Sequence, residues 1–125
     1  MLEHFDSLGL KARAEAVIKQ TADEMRAIVK EMAKRTDFPL FPGTPFQCIE
    51  AEPGRAQGPG FGCIVVCSDG EFRELRVDLE TPGMGMGTIR REELNDVNMS
   101  PGDYIVYAQS AVEAMSKVLA GERIY

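Results

Sequence analysis

The chain has 125 residues, 44% hydrophobic and 27% charged, with 14 Lys plus Arg against 20 Asp plus Glu, one His, three Cys and no Trp. A chain of this size and balance makes one globular domain that can bury about two thirds of its unfolded surface without a disulfide or structural metal. The formal net charge of −6 excludes a uniformly basic protein that coats nucleic acid or anionic lipid, so any anion site has to be a local patch.

Residues 1–6 carry acids where a secretory leader would carry bases, and no 18-residue apolar run occurs. A cytoplasmic protein with no membrane partner is therefore expected. Residues 8–35 read as one long helix, with apolar or small side chains at Ala14, Ile18, Thr21, Met25, Ile28 and Met32 in alternating steps of four and three. Leu10, Val17 and Val29 widen that stripe beyond a coiled-coil seam. Glu15 with Lys19 and Glu31 with Arg35 are acid-before-base pairs at i,i+4 and mark the solvated side.

The helix is expected to stop near Thr36, because Pro39, Pro42, Gly43 and Pro45 follow it closely. The hydrophobic period then changes to two. Phe46–Glu52, Gly62–Cys67 and Phe72–Leu79 are three predicted strands. In the third, Leu75, Val77 and Leu79 face one way and Glu74, Arg76 and Asp78 the other. The second is apolar on both faces, as in a strand covered on two sides. Asp69-Gly70 predicts a two-residue hairpin turn, and residues 53–60 read as a long connection without periodicity. Residues 89–97 are a short charged segment that reads as one or two helical turns. Ser100 as N-cap, Pro101 at the first helical position and Gly121 past the end bound a C-terminal helix, with Ile105, Ala108, Val112, Met115 and Leu119 on its buried face.

The expected organisation is a single α+β domain over 1–125: a helical arm (1–36), a three-stranded antiparallel meander (46–80), a Gly/Met-rich loop with the charged segment (81–99), and a C-terminal helix (100–121). Three short strands cannot cover so long a helix, which predicts a homodimer or higher oligomer.

No catalytic signature emerges. Gly83-Met-Gly-Met-Gly-Thr88 could present backbone N–H groups to a phosphate, but it lacks the Rossmann spacing and the P-loop Lys. It reads instead as a loop that a partner would order, with Met84 and Met86 as adaptable apolar contacts and Arg90 and Arg91 beside them. Arg73, Arg76, Arg90 and Arg91 do not form one stripe and read as ion-pairing partners of nearby acids. Cys63 and Cys67 are about 13 Å apart along a strand, and Cys48 could approach one of them. A metal site would also need His4 from the far end of the chain, so neither a metal nor a cofactor is expected, and the thiols read as reduced and buried.

The run from Gly58 to Gly70, followed by Phe72–Leu79, and the order of helix, meander and helix around it, resemble the YbaB/EbfC family of nucleoid-associated proteins. That resemblance implies a dimer that binds DNA with little sequence preference and without catalysis. Lys11, Arg13, Lys30, Lys34 and Arg35 on paired first helices would then supply the phosphate contacts. Residues 1–35 carry a net charge of +1, whereas residues 61–99 carry −4. The acidic balance and the inserted 39–45 and 83–88 stretches favour a second reading, an oligomeric accessory subunit that docks on a larger protein assembly.

Overall fold

A 34-residue helix, α1 (Leu2–Arg35), leads the chain and spans about 51 Å at 1.5 Å per residue. The computed structural model describes residues 2–51, 61–80, 87 and 89–125. Surface pairs lace the helix: Arg26 Nη1 lies 3.3 Å from Asp23, Arg35 Nη2 lies 3.2 Å from Glu31, and Gln20 donates to Glu24. Each such pair contributes only a few tenths of a kcal/mol. The helix stops where the Thr36 hydroxyl donates to the Met32 carbonyl at 2.7 Å, and Lys34 and Arg35 in its last turn complement the helix dipole.

Four antiparallel strands follow in sequence order, β1 (Cys48–Glu50), β2 (Phe61–Cys67), β3 (Phe72–Glu80) and β4 (Ile89–Asp96), and then α2 (Pro101–Leu119). The fold is α+β, with one strand more than the sequence predicts. The charged segment expected to be helical is β4, which pairs with β3 along its whole length, from Arg73 opposite Asp96 to Glu80 opposite Ile89. Its polarity hid it. Cross-strand charge supplies what hydrophobic alternation does not, with Arg76 opposite Glu93 and Asp78 opposite Arg91.

The β2–β3 hairpin also differs in detail from expectation. Cys67 N donates to Glu71 O and Gly70 N donates to Cys67 O, which makes a three-residue loop of Ser68, Asp69 and Gly70 rather than a two-residue one. Gly70 is left-handed (φ +81°), as the last residue of such a loop requires. It is also where α1 touches the hairpin: a Cβ at Gly70 would lie 2.9 Å from the Lys30 Cα.

Alternation in the strands divides the core in two. Ile49 and Val66, with Phe72 at the start of β3, join Ala22, Val29 and Ala33 of α1 and Tyr104, Ala108, Ala111 and Met115 of α2 in one cluster. On the opposite face, Cys48, Cys63, Val65, Cys67, Leu75 and Val77 are covered by Phe41, with Phe46 and Leu94 packed alongside. The proline-rich segment is thus a third layer. It is shaped by a turn at Phe41–Thr44 with Pro42 second and left-handed Gly43 (φ +76°) third, the chemistry of a type II turn. Ser100 caps α2 by accepting from Asp103 N, Pro101 opens it, and left-handed Gly121 follows its end, as the sequence indicates.

Each helix buries a line that only partly coincides with the one that periodicity selects. On α1, Ala22, Val29 and Ala33 are buried, while Ile18 and Ile28 are exposed and Met25 and Met32 are half-buried. On α2, Ala108 and Met115 are buried as expected and Ile105 and Val112 pack half-buried against the same cluster, while Tyr104 and Ala111 are buried in addition and Leu119 is exposed. Small side chains let the two helices approach closely, so the interface follows the alanines.

Candidate functional site

From residue 7 to residue 20, every α1 side chain is exposed. Leu10 is 62% exposed, Val17 58% and Ile18 41%, and farther along the same helix Ile28 is 49% exposed. Leu10, Ala14, Val17, Thr21 and Ile28 fall on one side of the helix at 100° per residue, a stripe about 27 Å long. Exposed apolar residues are ordinary when single; here Leu10, Val17 and Ile28 share one side of the same helix.

The five cations assigned to DNA do not converge. Lys11 and Arg13 lie on the exposed arm, about 26 Å along the helix from the group at 30–35. Within that group, Lys30 pairs with Glu71 at 3.1 Å, Lys34 with Glu31 at 3.8 Å and Arg35 with Glu31 at 3.2 Å. Of the residues assigned to a partner loop, Met84 and Met86 lie outside the described residues, as does the 53–60 connection. Arg90 and Arg91 are on β4. The Arg90 guanidinium rests on Gly43, where a Cβ would come within 2.8 Å of it, and its Nε lies 3.0 Å from Glu92. Arg91 stands opposite Asp78 in the β3–β4 register. On β3, Arg76 lies between Glu74 (3.9 Å) and Asp78 (3.7 Å), an ion-paired role that agrees with the sequence reading.

A cleft of ≈ 360 Å³ opens on the face of the sheet away from the helices, lined by Phe46, Cys67, Asp69, Arg73 and Leu94 among others. Arg73 forks onto Asp69 with contacts of 2.8 and 3.1 Å, and its Nε reaches Asp96 at 3.5 Å. The fork holds the Asp69 carboxyl below its ordinary range. Burial pushes the Cys67 thiol up, and the Arg73 guanidinium beside it pulls the other way. Burial, helped by the neighbouring Cys67 and Cys63 thiols, raises Cys48 to about 12. All three cysteines are free and buried, and among the described residues no cluster of three or more His, Cys, Asp or Glu could hold a metal.

The edge of β1 is closed by a feature that periodicity does not reveal. The Tyr125 hydroxyl donates to Cys48 O and accepts from Glu50 N, both at 3.0 Å, and its ring packs edge-on against Phe41 with centroids 5.3 Å apart. Burial raises the pKa of that phenol. The outward-facing donor and acceptor of an edge strand are thereby occupied, which blunts pairing with another chain. No helix among the described residues is long and apolar enough to cross a membrane.

Comparison with protein-family models, curated proteins and solved structures finds no match.

Proposed function

We propose that the protein is a non-catalytic homodimer that pairs through the exposed stripe of α1 and serves as an interaction subunit of a larger protein assembly. The observation that carries this reading is the exposed row of Leu10, Val17 and Ile28, which no described residue of its own chain covers. A second copy fits it on one ground. The same apolar row on both subunits is self-complementary about a two-fold axis.

A protein partner is favoured over DNA because three of the five candidate cations are held by carboxylates of their own chain. Phosphate binding would have to break those pairs. The DNA reading drawn from the YbaB/EbfC resemblance is the competing outcome of the same experiment.

Light scattering on the purified chain is expected to give twice the chain mass, and the double substitution Val17→Asp, Ile18→Asp is expected to give a monomer with an unchanged far-ultraviolet spectrum. A wild-type monomer at the highest soluble concentration overturns the pairing. In a mobility-shift assay at about 50 mM salt, where phosphate contacts are strong, no retardation of duplex DNA is expected at micromolar protein. Retardation that fades steeply with salt replaces the protein-assembly reading by DNA binding.

A further inference from the structure

We propose that Cys48 and Cys67 are a dithiol couple that closes to a cross-strand disulfide by exchange with a small external disulfide of the glutathione class. The β1–β2 register places Cys48 directly opposite Cys67. Ala51 N donates to Ile64 O, which makes Ala51–Ile64 a hydrogen-bonded pair. Alternation along the ladder makes Ile49–Val66 another, and Cys48–Cys67 a pair of the non-hydrogen-bonded kind. In such pairs the Cα atoms stand about 4.5 Å apart, inside the window of about 4.4–6.8 Å that a disulfide spans. Both side chains belong to the same cluster on the same face of the sheet. Cys63 is excluded as a partner of Cys67, because four residues on one strand separate them by about 13 Å.

The two thiols differ in access, which sets the order of events. Cys67 lines the open cleft beside Arg73, whereas Cys48 is fully buried beneath it. The Cys67 thiolate attacks one sulfur of glutathione disulfide; a Cys67–glutathione bond forms, the glutathione S–S bond breaks, and one glutathione thiolate leaves. Cys48 then loses its proton to solvent and attacks the Cys67 sulfur. The Cys48–Cys67 bond forms and the second glutathione leaves as thiolate. Two thiols are oxidised and one external disulfide is reduced to two thiols. The guanidinium of Arg73 partly offsets the burial that disfavours the Cys67 thiolate. The complete burial of Cys48 makes the second step the slow one. Closure ties the short edge strand β1 to the centre of the sheet across the loop from 49 to 66.

The test incubates the folded, reduced chain in glutathione buffers of increasing oxidation, quenches with acid and a thiol-alkylating reagent, and reads intact mass and peptide maps. The expected product has lost two hydrogens, links Cys48 to Cys67, retains one alkylatable thiol at Cys63, and reverts with dithiothreitol. Its melting temperature is expected to rise by about 5 °C. Cys48→Ala is expected to stop at one glutathionyl group on Cys67, and Cys67→Ala is expected to take up none at Cys48 while folded. A linkage that includes Cys63, a bond between two chains, or no oxidation of the folded chain under conditions that oxidise it in denaturant overturns the proposal.

Discussion

The two halves of α1 are made of the same residue types and have opposite environments. Val29 is fully buried, in contact with the cluster that includes Ala108, Ala111 and Met115 of α2, whereas Val17 is 58% exposed on the arm. The difference lies in what the rest of the chain offers. From residue 21 onward, α2 and the β2–β3 hairpin supply a surface, and the helix turns its smallest side chains toward it. Before residue 21 none of the described residues supplies one, and the large apolar side chains are exposed along with Ile28. A helix can therefore contribute to the core of its own subunit through one line while keeping a second line for another molecule.

Gly70 is the position at which that division is most easily broken. Gly70→Ala forces a Cβ into a left-handed position and against the Lys30 backbone at 2.9 Å. A loss of about 2–3 kcal/mol is expected, measured as a shift of the denaturation midpoint without loss of helix content in the arm. The direct comparison is a pair of identical substitutions. Val29→Ala is expected to cost about 2 kcal/mol of unfolding free energy. Val17→Ala should stay within about 0.5 kcal/mol for the dissociated chain and act instead on association. Equal losses at both sites in the dissociated chain would mean that the arm is not separate from the core. The smallest effect concerns the hairpin tip. Because the folded Asp69 carboxyl titrates below its unfolded value, its contribution is present above the usual carboxylate range near pH 4 and is lost as pH falls through the lower folded pKa. Asp69→Asn should flatten that acid limb of the stability profile by well under 1 kcal/mol, since the pair is half exposed.

These elements differ in how legible they were. The C-terminal helix carries its boundaries in Ser100, Pro101 and Gly121, which act through local geometry, and the structure agrees with them. The third strand and its facing pattern were equally clear, because alternation of Leu75 and Val77 with Glu74 and Arg76 needs no partner to be read. Strand β4 was not, since it has little hydrophobic alternation and is held by its register on β3. The proline-rich segment was legible only as the stop of the first helix; whether such a segment is a tether or a core layer depends on Phe41 and Phe46 finding the far side of the sheet. The candidate cations were visible as residue types, but their pairing with Glu31 and Glu71 was not. The juxtaposition of Cys48 and Cys67 depended on a register that the loop between the strands leaves open in sequence.

Local signals, that is caps, breakers, periodicity and the absence of ligand-spacing motifs, determined from sequence alone that this is an α+β chain with a long leading helix and no evident metal or catalytic signature. Only tertiary packing decided which line of each helix is buried, what covers the back of the sheet, and which charges are already neutralised. The physical reason is that burial and ion pairing are properties of pairs of surfaces. An alanine has little claim on the core by its own hydrophobicity, and it gains one when another alanine lets two backbones close on each other.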